Sequence, residues 1–306
     1  MLIPAIKIQN LSKTYSNGVK AIESISLEIE KGEFFALLGA NGAGKTTTIG
    51  ILTGLVNKSG GKVEIFGIDI DKDFNKAKTF IGVVPQEFNF NMFEKCIDIV
   101  VNQAGYYGIP RKVAIPRAEQ ILTDLGLGDK INDISRTLSG GMKRRLMIAR
   151  SLIHEPEILI LDEPTAGVDI ELRLGMWKYL EKLKSTRNIT VLLTTHYLEE
   201  VEALCDKCAI INKGEIARLD TVKNLTSSLS EQNYLIETKN QINQKEISKL
   251  LFQTKIINDT TFEITVTDKT TINQLIHSID KINYEAISIK PSSNRLEKLF
   301  IQTIHQ

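Results

Sequence analysis

The spacing of apolar and polar residues predicts two kinds of strand in this chain. Residues 5–11 and 22–29 alternate between apolar and polar side chains, which is typical of strands with one buried face. Asn17-Gly18 lies between them and is a favoured turn sequence, so we expect an antiparallel hairpin. Predominantly apolar runs, typical of strands buried on both faces of a parallel sheet, occur at residues 34–38, 81–84, 158–161 and 189–195.

Between residues 93 and 153 the strand-like runs give way to helical spacing. Apolar residues recur on one helical face, as at Ile97, Val100, Val101 and Ala104. Pro110 and Pro116 are expected to separate helices, because proline interrupts helical hydrogen bonding. Ser139 is a favoured N-cap residue and predicts the start of a final helix. The pattern therefore indicates a helical insertion over about residues 93–153 in an otherwise α/β body.

The composition changes again beyond residue 225. Residues 226–233 are polar and are predicted to form a linker. Short strand-like runs and one stretch of helical spacing follow, at residues 234–237, 262–267, 286–290 and 272–279. They predict a small α/β accessory domain over residues 226–306, after a first domain over residues 1–225. This second segment carries no chemical motif, so its role stays open.

Composition limits the function without naming it. The chain has 38 Lys and Arg against 37 Asp and Glu, and a net charge of +1 gives no electrostatic reason to expect nucleic acid as a partner. No apolar run approaches the roughly 18–20 residues of a membrane span, and the N-terminus lacks a signal-peptide pattern, so we expect a cytoplasmic chain. Cys205 and Cys208 form a C-x-x-C pair, which is either a redox dithiol or, the favoured interpretation, two reduced structural thiols.

The strongest chemical motif is GANGAGKT at residues 39–46, between an apolar strand and residues able to open a helix. In that setting G-x-x-x-x-G-K-[ST] is a phosphate-binding P-loop. Its glycines allow backbone N–H groups to form an anion-binding concavity, and the following helix N-terminus adds donors. Lys45 is expected to contact the β- and γ-phosphates, and the Thr46 hydroxyl to ligate Mg²⁺. The sequence therefore predicts binding of a nucleoside triphosphate.

Two carboxylates end the apolar run at residues 158–161, at the sheet edge where the P-loop must also open. Asp162 is expected to hold Mg²⁺ through water. Glu163 is placed to act as general base on an attacking water. His196 follows the next apolar run; a lone histidine is usually structural, but this position favours one that faces the γ-phosphate.

Two further positions carry weaker signals. Gln86 ends the apolar run at 81–84, where α/β sheets gather ligand-contacting groups, yet a glutamine there is more often a solvated loop residue. Tyr15 precedes the predicted turn and offers a face on which a purine could stack. An aromatic that packs at the sheet edge explains the position of Tyr15 more simply.

Taken together and in this order, the motifs resemble those of the ATP-binding subunits of ABC transporters. LSGGMK at residues 138–143 is similar to the signature sequence of that family, and AGVD at 166–169 is similar to its D-loop. The resemblance runs from residue 4 to about residue 225. It implies that Tyr15 is the A-loop aromatic, Gln86 the Q-loop glutamine and His196 the switch histidine.

The family resemblance also implies a fold and a complete set of site residues. The fold is α/β: a P-loop NTPase core with an antiparallel β subdomain, a helical subdomain insertion and the small C-terminal α/β domain. The catalytic residues are Lys45, Gln86, Glu163 and His196, and the ligands of Mg²⁺ are Thr46, Gln86 and, through water, Asp162. The nucleotide contacts are Tyr15, Gly39, Asn41, Gly42, Ala43, Gly44, Lys45, Thr46, Thr47 and Asp169, with Ser139, Gly140 and Gly141 supplied in trans by a second chain.

Residues 149–173 and 194–206 most resemble the ABC-2 type exporter ATPases. This likeness implies a homodimer that closes around ATP and Mg²⁺, reopens after hydrolysis and drives efflux through a separate integral membrane permease of the ABC-2 type. The chain would lie on the cytoplasmic face of the cell membrane and touch the membrane only through that permease, docking by residues 86–94 and the helical insertion. An importer ATPase and a soluble, non-transport ABC ATPase are the alternatives, and the intact catalytic residues argue against a scaffold without turnover.

Overall fold

The computed structural model describes residues 3–227, 231–248, 250–267, 270–282, 284–292 and 294–304. The chain divides into two compact units between Thr221 and Val222, four residues before the boundary expected from composition. Within the described residues, no helix is long and apolar enough to cross a membrane.

A mixed sheet organises the first unit, which has ten strands among its described residues. In chain order these are β1 (Ile6–Thr14), β2 (Lys20–Ile29), β3 (Phe34–Gly39), β4 (Gly60–Ile65), β5 (Ile68–Asp69), β6 (Ile81–Val84), β7 (Ile158–Asp162), β8 (Thr190–Thr194), β9 (Lys207–Asn212) and β10 (Glu215–Thr221). Their spatial order is β5-β4-β1-β2-β10-β9-β3-β8-β7-β6.

The half of the sheet from β9 to β6 is parallel, as the apolar runs predicted. Every residue of β3 and β8 is buried, as is β7 up to its last residue, because other layers cover both faces of these strands. Parallel strands point their carboxyl ends to one edge of the sheet. The P-loop, the two acids and His196 therefore all follow strands that end at this edge.

The strands from β5 to β2 pair antiparallel, and a single parallel bridge joins β2 to β10. The predicted hairpin between β1 and β2 is confirmed. The Asn17 side chain accepts a hydrogen bond from the backbone of Val19, and Gly18 takes a positive φ of 83°, which closes the turn. β4 and β5 extend this layer beyond β1. The predicted antiparallel β subdomain is thus present.

Seven α-helices are present among the described residues of the first unit. They are α1 (Lys45–Leu52), α2 (Ile70–Ala77), α3 (Cys96–Tyr106), α4 (Arg111–Asp124), α5 (Gly140–Leu152), α6 (Ile170–Arg187) and α7 (Leu198–Leu204). The predicted helical insertion consists of α3, α4 and α5, which pack on one another between β6 and β7. Ser139 caps α5 as expected, because its side chain accepts from the backbone N–H of Met142.

The expectation that Pro116 separates helices is wrong. Pro110 does stand immediately before α4, but Pro116 lies inside it. An interior proline costs a helix about 3 kcal/mol. Here Pro116 is exposed, whereas Ala118, Ile121 and Leu122 of the same helix are buried. Burial of that face offsets the lost backbone hydrogen bond, so the helix continues.

The second unit is a small α/β fold, as predicted. Its elements are α8 (Val222–Ser227), β11 (Glu231–Thr238), α9 (Gln244–Ile247), β12 (Gln253–Asn258), β13 (Thr261–Thr267), α10 (Ile272–Lys281), β14 (Ala286–Pro291) and α11 (Arg295–Ile304). The sheet order is β12-β13-β11-β14, with antiparallel neighbours throughout. From β11 to β14 this is the βαββαβ arrangement of ferredoxin-like domains, and its core includes Ile236, Phe262, Ile264 and Leu275.

The predicted linker at residues 226–233 is largely wrong where the structure describes it. Residues 226–227 end α8, and residues 231–233 begin β11. Residues 228–230 lie outside the described part of the chain. Polar composition misled the prediction because β11 is a strand whose first residues are exposed or half-buried.

Candidate functional site

The P-loop joins β3 to α1, and its backbone is available to contact a bound ligand. Gly44 has a φ of +113°, and a Cβ there would lie 2.7 Å from the backbone oxygen of Ala21, so only glycine fits. Gly42 also has a positive φ, of 80°, and open space where a Cβ would stand. The first turn of α1 follows at once and contributes unpaired N–H groups. The loop has the form of an anion cradle.

Lys45 lies inside this cradle and is 8% exposed. Its Nζ donates to the backbone oxygens of Gly39, at 2.7 Å, and Ala40, at 3.2 Å. Burial lowers the pKa of the Lys45 ammonium, and the negative charges of Glu163 and Asp162 partly oppose that shift. A buried cation held only by carbonyl oxygens is well placed to exchange them for phosphate oxygens.

Thr194, the last residue of β8, holds the Asp162 carboxylate and the backbone of Glu163. Its hydroxyl donates to Asp162 Oδ1 at 2.5 Å. The backbone N–H of Glu163 donates to the carbonyl oxygen of Thr194 at 3.0 Å and to its Oγ1 at 3.1 Å. Glu163 has a φ of +47°, a strained conformation for a residue with a side chain. Thr194 was not anticipated from the sequence.

Gln86, Glu163 and His196 meet at the ends of three neighbouring parallel strands. Glu163 Oε2 accepts from Gln86 Nε2 at 3.4 Å and lies 3.5 Å from His196 Nδ1. The Glu163 side chain is 17% exposed, and that of His196 is 55% exposed. The structure therefore brings three of the four predicted catalytic residues onto one carboxylate oxygen, at the edge where the P-loop opens.

Tyr15 follows β1 and lies beside the first turn of α1. Its hydroxyl is 3.3 Å from Thr47 Oγ1, and Lys13 Nζ lies 4.9 Å from its ring centroid. Tyr15 is 37% exposed, so part of the residue is open to solvent beside the P-loop helix. Its exposed face next to the P-loop helix suits it to stack on a planar base.

The signature residues and Asp169 lie on other loops of the same unit. Ser139 and Gly140 are exposed at the N-terminus of α5, where backbone N–H groups favour an anion. Gly141 is buried in the first turn. Asp169 is exposed immediately before α6, and its backbone oxygen accepts from the N–H of Arg173.

Comparison with known proteins places the chain among its relatives. A family model described as ABC transporter matches residues 22–166. The linearmycin resistance ATP-binding protein LnrL of Bacillus subtilis is 40% identical over 240 residues, which are 78% of this chain and 76% of that protein. The chain belongs to the ABC transporter family of ATP-binding proteins. This membership confirms the predicted resemblance.

Two further kinds of relative agree. The Nod factor export ATP-binding protein I of Burkholderia orbicola is 36% identical over 214 residues, 70% of each chain. Among solved structures, cbiO1 of Clostridium perfringens, part of the ABC transporter complex cbiONQ, has a TM-score of 0.68 at 29% identity and covers 73% of this chain and 91% of its own. The dimeric ATP-binding cassette MJ0796 bound to ADP and Pi has a TM-score of 0.64 at 27% identity and covers 71% and 98%. The predicted fold and nucleotide-hydrolysing class are confirmed.

In this ABC ATPase, two arginines of α5 that sequence reasoning missed hold the segment after β6. Arg144 is 4% exposed, and its guanidinium donates to the backbone oxygens of Pro85, at 2.7 Å, and Gln86, at 2.8 Å. Arg150 donates to the backbone oxygen of Asn89 at 3.1 Å and to its Oδ1 at 2.5 Å. The helix that begins with the signature is thus hydrogen-bonded to the loop that carries Gln86. The basic run after the signature was a signal, but burial of an arginine cannot be read from a sequence.

Proposed function

We propose that this chain is the ATP-hydrolysing subunit of an export-type ABC transporter, which drives a separate membrane permease of the ABC-2 type. The observation that supports hydrolysis best is the convergence of Gln86, Glu163 and His196 beside the P-loop. Export is supported by relatives whose names describe linearmycin resistance and Nod factor export. The subunit would then lie on the cytoplasmic face of the cell membrane and touch the membrane through the permease.

The donors present fit Mg²⁺ together with a triphosphate. Among the described residues, no cluster of three or more His, Cys, Asp or Glu could cage a metal. Mg²⁺ commonly takes only one or two protein ligands, with water and phosphate oxygens completing its shell. The Thr46 hydroxyl, the Gln86 amide oxygen and, through water, Asp162 would hold it, and Thr194 already orients Asp162. When bound, Mg²⁺ neutralises charge on the phosphates.

The residues of the chain then divide the work of hydrolysis. Lys45 and the N–H groups of the P-loop bind and orient the phosphates. Glu163 accepts a proton from the attacking water at its carboxylate. Gln86 and His196, which both reach Glu163 Oε2, keep that water and the γ-phosphate aligned. The backbone of Glu163 is held in place, because its N–H donates to both the carbonyl oxygen and the hydroxyl oxygen of Thr194.

A homodimer completes the site in this proposal. Ser139 and Gly140 are exposed at the start of α5 and available to a phosphate that lies outside their own chain. Closure of two copies would place them over the γ-phosphate and exclude water, and a C2 pair makes two equal sites. The solved relative MJ0796 bound to ADP and Pi is itself dimeric.

The Glu163→Gln variant tests the proposal. It keeps the side-chain shape and removes the base, so we expect it to bind ATP, to dimerise with ATP, and to lose turnover by a factor of about 10²–10⁴. Phosphate release and size-exclusion chromatography with and without ATP measure the two effects. Glu171→Gln, an exposed acid in the first turn of α6, is the matched control and should behave like the wild type. Normal turnover in Glu163→Gln would overturn the assignment.

A further inference from the structure

Glu200 is a carboxylate in the interior of the first unit, on α7. It is 0% exposed. Burial raises the pKa of Glu200, and hydrogen bonds from Thr195, Trp177 and Thr165 partly oppose that shift. A carboxylate is costly to bury unless its oxygens are paired. The catalytic scheme above gives Glu200 no task, so its burial calls for a reason.

The donors to Glu200 come from three different segments. Thr165 Oγ1 donates to Oε2 at 3.3 Å, and Trp177 Nε1 donates to Oε1 at 3.2 Å. The hydroxyl of Thr195 also bonds to the carboxylate. Thr165 follows the acids of β7 and leads into residues 166–169, the loop similar to the D-loop. Thr195 directly precedes the switch histidine.

A second line of contacts runs beside this carboxylate. The guanidinium of Arg173 lies over the ring of Tyr197, 4.4 Å from its centroid, and the ring of Tyr197 is 4.1 Å from that of His196. The backbone N–H of Tyr197 donates to Thr195 Oγ1 at 3.0 Å. The charge of Arg173 also stabilises ionised Glu200. His196 is therefore joined to α6 through packed rings, and to the loop after β7 through Glu200.

We propose that Glu200 is a positioning residue for ATP hydrolysis, which fastens the loop at 166–169 and the loop of His196 to one buried carboxylate. A shift of the first loop on closure of a dimer would then be passed through Thr165 and Glu200 to Thr195, and so to the histidine at Glu163. The proposal rests on the proposed dimeric ATPase. Glu200 itself touches neither water nor phosphate in this scheme.

Thr165→Val tests the link with little change of shape, because it removes the hydroxyl and keeps a branched side chain. We expect kcat to fall about tenfold, with KM for ATP changed by less than about twofold, since binding groups are untouched. Thr165→Ser keeps the hydroxyl and should restore kcat to within about twofold of the wild type. Trp177→Phe is the matched control. It removes the donor to the other oxygen of Glu200, and Trp177 lies on α6 rather than on a catalytic loop. It should lower the unfolding temperature and leave kcat within about twofold.

Trp177 also supplies an independent readout, because it is the one tryptophan of the sequence and its indole contacts Glu200. ATP should change its emission in the wild type and in Glu163→Gln, and the change should be much smaller in Thr165→Val. Unchanged kcat in Thr165→Val, or an equal loss of kcat in Trp177→Phe, would reject the link while leaving the ATPase proposal intact. Absence of turnover in the wild type would instead reject the ATPase proposal.

Discussion

Lys45 has two tasks that a sequence motif does not distinguish. Its ammonium supports the P-loop from inside, through hydrogen bonds to Gly39 and Ala40. By the chemistry of the motif we also expect it to bind the β- and γ-phosphates. The first task is a matter of stability and the second of affinity. Binding of nucleotides that carry different numbers of phosphates can distinguish these two tasks of Lys45.

We expect Lys45→Ala to weaken binding according to the phosphates that the lysine reaches. Charge-assisted hydrogen bonds are the strong ones, so Kd should rise by about tenfold or more for ATP and ADP and change little for AMP. Equilibrium dialysis with the three nucleotides measures this. Lys72→Ala, which removes an exposed lysine of α2, is the control. An equal loss for all three nucleotides would show that Lys45 only supports the loop.

The candidate site was predictable where phosphate chemistry dictates residue types. The P-loop, Asp162, Glu163 and His196 belong to that class, because few residue types could perform the tasks that we propose for them. Thr194 does not belong to that class, because its position at the end of a strand does not distinguish it in the sequence from any other threonine or serine there. It reaches Asp162 because β7 and β8 pair in a register that sets these two residues side by side. Such contacts belong to the tertiary fold.

At the scale of elements, α5 is the link between the signature and the loop of Gln86. The guanidinium of Arg144 spans two consecutive carbonyl groups, and the ring of Phe88 lies 5.2 Å from its centre. Burial lowers the pKa of Arg144, opposed by the charge of Asp162. A lysine cannot reproduce a planar fork on two acceptors. The position of the Gln86 backbone therefore depends on arginine rather than on charge alone.

Arg144→Lys and Arg145→Lys form a matched pair on this helix. Arg145 also donates to backbone oxygens, of Leu125 and Gly126, but these lie away from the Gln86 loop. Each variant should lose about 1–3 kcal/mol of unfolding free energy, because a lysine ammonium cannot keep both hydrogen bonds of the guanidinium to these part-buried carbonyl groups. Only Arg144→Lys should lower kcat, by about tenfold, through misplaced Gln86. Chemical denaturation and steady-state kinetics measure the two effects. Equal loss of kcat in both would leave α5 a purely structural role.

The buried strands of the parallel sheet were predicted, whereas two strands with no buried residue, β10 and β12, were missed. β3, β6, β7 and β8 are buried along nearly all their length and left a clear apolar signal. β10 and β12 have no fully buried residue, so their sequences carry no period to recognise. Their pairing partners β9 and β13 hold them through backbone hydrogen bonds. Pro116 failed as a helix breaker for the related reason that packing outweighs local propensity.

At the scale of the whole molecule, a transporter ATPase must pass its cycle to a second protein. A cleft of about 580 Å³ lies between the end of α1, the segment after Gln86, and helices α3 and α5. Leu55 and Tyr106 line it and are 83% and 85% exposed. Arg150 lines it too, and is bound to Asn89 of the same segment. This cleft, whose lining is mixed polar and apolar, adjoins the Gln86 loop and exposes Leu55 and Tyr106, and it is the surface we propose for the permease.

Thiol crosslinking can map this surface, because the native cysteines are poor nucleophiles. Cys96, Cys205 and Cys208 are free and buried. Burial raises the pKa of Cys96 to about 11 and that of Cys208 to about 12, and it raises the pKa of Cys205 as well. Near neutral pH these thiols are almost wholly protonated, and the thiolate is the reactive form. An engineered exposed cysteine will therefore react in preference to them.

We expect Tyr106→Cys to crosslink to an integral membrane protein in cells that produce the permease. Ile3→Cys, at an exposed position of 61% outside the cleft, is the control and should give at most background. A thiol-to-amine crosslinker in isolated membranes, followed by mass spectrometry of the product, identifies the partner. On this proposal the ATP cycle reaches the permease through the cleft, so the yield should also differ between Tyr106→Cys and the Tyr106→Cys/Glu163→Gln double variant held with ATP. Crosslinks from Ile3→Cys alone would place docking on another face, and a substrate-binding protein recovered with the permease would indicate import rather than export.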